Sequence, residues 1–391
     1  MNEWKEFSLD NLIYINRKTL NKDYQHDKIL YLDTGSITCN KIDSLQELKI
    51  TDAPSRAKRI VNEDDIIYSS VRPNQLHYGY IKNPQKNLIV STGFVVITCK
   101  KELLNPKFLY NYLTQDTTTE YLHSIAEAST TTYPSLKPSD IAVLEILLPP
   151  LPEQESISEV LSSLDDKIDL LHRQNKTLEE LADIVLGRWF IEEAEVQSDN
   201  KILLGDYFDT ISKTHRLDNE KVIFLNTSDI YKGEVLEHNY SVVKTLPGQA
   251  KKSIQKGDLL FSEIRPSNGR WAYISFESDD YVVSTKLMVL RSKSNIDTTF
   301  LYFYLTHKKT VDYLQMLAES RSGTFPQITF DQLRDLKINI PSTKILDETN
   351  SWCRSALEKI SKNHTQIKQL ESLRDELLPK LMSGAVRVQE N

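Results

Sequence analysis

The chain has 391 residues, enough for two or three domains with cores of their own, and its 39% hydrophobic and 26% charged content is ordinary for a globular protein. No stretch approaches the roughly 18 apolar residues of a membrane helix, and MNEWKEFSLD lacks the basic and apolar regions of a signal peptide, so a cytoplasmic, membrane-free protein is expected. The net charge of −7 is concentrated: residues 151–195 carry 4 Lys+Arg against 12 Asp+Glu, a net of −8, while the remainder is balanced and leaves nucleic-acid binding open.

In chain order, YLDTGSI at 31–37 opens a globular part that mixes short alternating strands with amphipathic helices. DIIYSSVRP at 65–73 runs into Asn74 and Gln75, and VSTGFVVIT at 90–98 belongs to one strand predicted over Leu88–Thr98. A helix is predicted over Pro106–Leu113, then the polar loop Ser129–Tyr133, then the proline punctuation LPPLPEQ at 148–154. A long helix follows at about 152–190.

The same order then repeats with an offset near 193. FLNTSDI at 224–230, DLLFSEIRP at 258–266, VSTKLMVLR at 283–291 and FLYFYL at 300–305 match their counterparts in the first half. SGTFPQITFDQLRDLKINIPS at 322–342 matches TTTYPSLKPSDIAVLEILLPP at 130–150, and a second long helix is predicted at about 345–382. The expected class is α+β. Its segments are globular 1–150, helical 151–192, globular 193–341 and helical 342–391.

Each long helix carries a heptad seam. The first reads Leu161, Leu164, Ile168, Leu171, Asn175, Leu178, Ala182, Val185; the second reads Cys353, Ala356, Ile360, Asn363, Ile367, Leu370, Arg374, Leu377. A domain rather than a short loop joins the helices, so parallel and antiparallel pairing are both open. One antiparallel register matches like with like: Asn175 with Asn363, Ile168 with Leu370, Leu171 with Ile367. Only Leu164 against Arg374 is awkward, and Leu373 is available to turn in there. Sliding by a heptad would bury unpaired amides at about 1–3 kcal/mol each.

Catalytic and metal-binding signatures are not found. No phosphate loop, dinucleotide fingerprint, His metal motif or nucleophile elbow occurs, nor the [DN]-P-P-[YF] tetrapeptide of amino-methyltransferases. The adjacent acids Asp64-Asp65, Asp165-Asp166 and Asp279-Asp280 are expected on solvated faces, and Cys39, Cys99 and Cys353 as small buried hydrophobes with reduced thiols.

The candidate contacts to double-stranded DNA lie in the globular parts. Arg72-Pro73-Asn74-Gln75 returns as Arg265-Pro266-Ser267-Asn268, followed by Arg270. Arginine suits phosphate or guanine, and Asn or Gln suits adenine, while a structural arginine that closes the turn is the other reading. The loops before the aromatic-Pro pairs add Thr131, Thr132 and Tyr133 in the first half, and Arg321 and Thr324 in the second. Features common to both halves suit the backbone; features that differ suit base reading.

The run from Leu148 to Phe190, with LPPLPEQ, LDDKIDLL, NKTLEELA and WF, closely resembles the central conserved region of Type I restriction-modification specificity subunits, and LRDELLPKLMSGAV resembles their C-terminal one. The duplicated VRP/IRP and VST segments look like their two target recognition domains. The resemblance implies a non-catalytic subunit with pseudo-two-fold architecture, whose paired antiparallel helices set the gap in a bipartite DNA site. It implies that these helices dock two methyltransferase subunits, which carry S-adenosylmethionine and methylate adenine N6. It also implies restriction subunits that use ATP and Mg, with no cofactor on this chain. One departure is that the second helix is preceded by IPSTKILDE instead of P-P-x-P-E-Q, which leaves its start open. A coiled-coil scaffold with duplicated protein- or ligand-binding domains is the competing reading.

Overall fold

The computed structural model describes residues 4–21, 24–129, 134–192, 201–214, 219–293, 297–321, 324–339 and 342–388. The chain divides into two compact units, residues 1–167 with 370–391 and residues 168–369. Each unit therefore draws on part of both long helices.

In the first unit, Gln46–Lys49, Lys28–Leu32, Leu88–Ser91 and Ala57–Ile60 form one four-stranded sheet, in which Lys28–Leu32 and Leu88–Ser91 run parallel. Ile13–Ile15, Phe94–Cys99, Ile66–Ser69 and Tyr78–Tyr80 form a second, antiparallel sheet. Helices α1 (Pro106–Leu113), α2 (Asp116–Ser129) and α3 (Pro138–Ala142) pack with this second sheet, and Lys5–Ser8 pairs with Glu145–Leu148. The segment predicted as one strand over 88–98 is two strands in different sheets. The ladder shifts register at Val90/Ser91, and the chain turns a corner at Ser91-Thr92-Gly93. Strands that change sheets do so through such bulges. The apolar runs on both sides hide the break, because both are buried.

Helix α4 spans Leu151–Leu186. Its opening Pro-Glu-Gln is structural. Gln154 is 1% exposed; its Nε2 donates to Pro149 O at 2.9 Å and Leu103 O at 3.1 Å, and its Oε1 accepts from Asn105 N at 2.8 Å. Asn105 in turn caps α1 through the Lys107 and Phe108 N–H groups. Buried Glu153 accepts from Trp4 and from the Arg387 guanidinium, so it ties the two ends of the chain to α4.

The second unit repeats this plan. One sheet is ordered Tyr240–Val242, Lys221–Leu225, Tyr281–Ser284, Ala250–Ser253; the other Phe208–Thr210, Leu287–Ser292, Leu259–Ser262, Trp271–Tyr273. A register shift recurs between Ala250 and Lys252, and the corner falls at Thr285-Lys286. Helices α5 (Thr298–Thr306), α6 (Lys308–Arg321) and α7 (Phe330–Arg334) follow, and α8 spans Thr343–Met382. Without the Pro-Glu-Gln motif, α8 reaches α5 by other means. Asp297 caps α5 through Thr299 N at 2.9 Å and binds Arg354 Nε at 3.1 Å, while Asn350 Oδ1 accepts from Asp297 N at 3.3 Å.

Along the seam, Leu161, Ile168, Leu171, Asn175, Ala182, Cys353, Ala356, Ile360, Asn363 and Ile367 are buried, and Leu370 is half-buried. Asn363 Nδ2 donates to Asn175 Oδ1 at 2.7 Å; both residues belong to the second unit. The awkward level resolves differently from expectation. Leu373 stays 44% exposed, and Arg374 Nη1 reaches Asp165 at 3.1 Å. A long guanidinium stem covers apolar surface while its head finds a carboxylate, so no leucine need turn in.

Two other expectations fail. Cys99 and Cys353 are buried, and burial pushes both thiols up to about 12, but Cys39 is exposed in the turn between Ile37–Thr38 and Lys41–Ile42. Asp65 is not on a solvated face: it is 1% exposed, and it accepts from Asn62 N at 2.7 Å and Thr98 Oγ1 at 2.5 Å.

Candidate nucleic-acid interface

Strand Ile66–Ser69 ends in the turn Ser70–Leu76. Three backbone hydrogen bonds hold that turn: Ser70 N to Gly93 O at 2.8 Å, Arg72 N to Pro134 O at 3.0 Å and Leu136 N to Ser70 O at 2.7 Å. The equivalent turn of the second unit is held by Glu263 N to Lys286 O at 3.0 Å, Arg265 N to Pro326 O at 3.1 Å and Ile328 N to Glu263 O at 2.9 Å. In each unit the Arg-Pro turn, the sheet corner and the loop before the last strand thus meet at one place.

The arginines are strained. Arg72 has φ 48° and Arg265 φ 42°, in the left-handed region that non-glycine residues rarely enter. Such strain collects at functional positions held by their surroundings, and here it occurs twice. Pro73 and Pro266 are buried beneath the turns, while Arg72, Asn74, Gln75, Arg265, Ser267 and Asn268 are exposed. The turn leaves through a second left-handed residue, Leu76 at φ 57° and Gly269 at φ 69°.

Helices α2 and α6 back the turns. Gln315 on α6 accepts from Ser267 N at 3.1 Å and from Ser267 Oγ at 2.9 Å, which fixes the second turn. Thr324 is exposed beside it, and its carbonyl accepts from Arg265 Nη2 at 3.5 Å. The backbone of Arg321 ends α6. Thr131, Thr132 and Tyr133 lie outside the described residues; the segment that resumes at Pro134 is bound to the first turn.

Arg270 has a different environment from the other candidates. Its Nη1 donates to Ser228 O and Ile230 O, both at 3.0 Å, and its guanidinium lies 5.4 Å from the Tyr231 ring centroid. The equivalent residue of the first unit is His77, whose Nδ1 lies 2.6 Å from Ile37 O. Both side chains brace the same short segment. Sequence alone did not show this, because an arginine after a turn looks the same whether it faces solvent or a carbonyl.

Among the described residues no group of three or more His, Cys, Asp or Glu is placed to hold a metal ion, and no helix is long and apolar enough to cross a membrane.

The model of the Type I restriction modification DNA specificity domain matches residues 1–180 and again residues 204–372. The chain belongs to this family. The two matches fall on the two halves that carry the duplicated turns. The chain is similar to the Type I restriction enzyme HindI specificity subunit of Haemophilus influenzae, 45% identical over 173 residues, covering 40% of this chain and 38% of that one. It is also similar to the MjaIX specificity subunit of Methanocaldococcus jannaschii, 26% identical over 356 residues, covering 85% and 80%. The crystal structure of a Type-I restriction-modification system S subunit from M. genitalium has a similar fold, with a TM-score of 0.61 at 17% identity over 99% of this chain and 97% of that one.

Proposed function

We propose that this family member is the DNA sequence-specificity subunit of a Type I restriction-modification assembly, each unit reading one half of a bipartite site. The observation that carries this reading is the duplicated, strained and exposed Arg-Pro turn, held by the same three backbone bonds in each unit. Arg72 and Arg265 grip phosphates, since both halves keep them. Asn74 and Gln75 in the first unit, with Thr131, Thr132 and Tyr133, face bases; Asn268, Arg321 and Thr324 do so in the second. Arg270 braces the segment Ser228–Ile230 rather than reading bases.

In this reading the chain performs no catalysis and binds no cofactor. Two methyltransferase subunits, which carry S-adenosylmethionine, dock on the long helices, and restriction subunits supply ATP and Mg chemistry. The excess of acid in residues 151–195 supports a protein partner there and disfavours phosphate. The paired helices fix the gap between half-sites.

The test is binding of the chain with its methyltransferase to DNA across salt, followed by footprinting. A steep salt slope and two protected patches are expected. One continuous footprint, or binding indifferent to salt, would favour the scaffold reading instead.

A further inference from the structure

The two units share one backbone frame around the Arg-Pro turn and fill it differently. Ser70 and Gly93 are joined by one of these bonds, and Ser135 sits between the bonded Pro134 and Leu136, bridged to Val71; the matching positions of the second unit are Glu263, Lys286 and Gln327, the last between Pro326 and Ile328 and bridged to Ile264. All three change together, from small to long and polar. Lys286 Nζ lies 3.8 Å from Glu263 Oε2 and 3.5 Å from Gln327 Oε1, so the three side chains form one cluster. The side chains of Lys286 and Glu263 keep 43% and 26% of their surface, within reach of a ligand.

Stability does not account for the cluster. A long, partly exposed ion pair contributes little, and the first unit keeps the same frame without it. The corner has its own support: Lys252 Nζ donates to Thr285 O at 3.0 Å and to Leu287 O at 2.7 Å, on either side of Lys286. A carboxylate on a DNA-facing surface also repels phosphate. Its favourable partner there is the amino group of cytosine, and an ammonium beside it suits O6 and N7 of guanine. These two edges belong to one C·G pair in the major groove.

We propose that Glu263 and Lys286, steadied by Gln327, read a C·G base pair in the half-site of the second unit, and that Ser70, Gly93 and Ser135 leave the first unit without that preference. The assignment rests on the proposed DNA-specificity role. Arg72 and Arg265, shared by both units, grip the backbone, and the cluster beside Arg265 supplies part of the difference between half-sites.

The test is methylome sequencing of a host expressing the full chain with its methyltransferase, as wild type, as the triple variant Glu263→Ser/Lys286→Gly/Gln327→Ser and as Glu263→Gln. The wild type should give a split motif with a fixed C·G pair in one half. The triple variant should relax that pair, with discrimination falling about 10- to 100-fold, and leave the other half unchanged. Glu263→Gln is nearly isosteric and decides the matter if the triple variant does not fold; it should shift that position from C toward A, since a carboxamide matches adenine. An unchanged motif in either folded variant would overturn the proposal. Equal relaxation of both halves, or loss of binding to every sequence at unchanged melting temperature, would do the same. A wild type without any split motif would instead overturn the DNA-specificity reading.

Discussion

Asn363 Nδ2 donates to Asn175 Oδ1 at 2.7 Å, with Asn363 0% and Asn175 5% exposed. The second amide atoms, Asn175 Nδ2 and Asn363 Oδ1, have no hydrogen-bond partner among the described residues. The pair therefore adds little net stability. It penalises other registers, because a slip removes the one bond and leaves both amides against hydrocarbon.

This predicts a non-additive double-mutant cycle. Asn363→Leu alone strands the Asn175 amide and should lower unfolding free energy by about 1–3 kcal/mol. Asn175→Leu/Asn363→Leu should be more stable than either single variant. Chemical denaturation of the four proteins checks this; strict additivity would show that the amides are not coupled.

A second prediction concerns the core of the second unit. Asp258 is fully buried, and its carboxylate takes a bidentate pair from Arg291, Nε at 2.6 Å and Nη2 at 2.7 Å. Arg291→Ala leaves a buried carboxylate uncompensated and should destabilise by about 3–5 kcal/mol. The equivalent acid, Asp65, is satisfied by Thr98 Oγ1 instead, so Thr98→Val should have a smaller effect, about 1–2 kcal/mol. Thermal melts that rank these two variants in the opposite order would contradict the assignment.

A third prediction is a pH dependence. Burial works against the charge of Asp297, but the Thr299 N–H and the Arg354 guanidinium outweigh it and hold its carboxyl below the ordinary range. A lowered folded pKa contributes stability that is present above the unfolded value near ~4 and lost as pH falls through the folded value. Asp297→Asn should therefore melt lower than wild type at neutral pH, by about 1 kcal/mol given the exposure of Arg354. The gap should narrow as pH falls below the unfolded value and close once the folded carboxyl is protonated as well. A gap that persists there would point to capping rather than charge.

The Arg-Pro turns make a fourth prediction. Arg72→Ala and Arg265→Ala should each weaken binding to all DNA sequences alike and reduce the salt slope by about 1. A change in sequence preference without a change in slope would make these arginines base readers. Their salt dependence is measurable by fluorescence anisotropy on matched and unmatched duplexes.

Much of this was legible in the sequence because it is periodic or repeated. The two long helices follow from their heptads, and the Arg-Pro turns stand out because they occur twice. What escaped depends on which neighbour a side chain meets. An arginine in a seam looks like a misfit until Asp165 is beside it, and Arg270 looks like a free cation until the Ser228 and Ile230 carbonyls are seen. The corner at Ser91-Thr92-Gly93 escaped because both flanking strands are buried, so hydrophobicity runs through it unbroken. The Glu263, Lys286 and Gln327 cluster is scattered over 65 residues of sequence, and only the backbone frame shows that its members change as a set.

If two units of one chain read two halves of one DNA site, the sequence that the assembled complex methylates must itself be split. Methylome sequencing of a host that expresses the chain with its methyltransferase tests it most directly. Adenine methylation is expected at a motif of two fixed halves separated by unread positions. A continuous motif, or no sequence-specific methylation by a complex that assembles and binds S-adenosylmethionine, would contradict it.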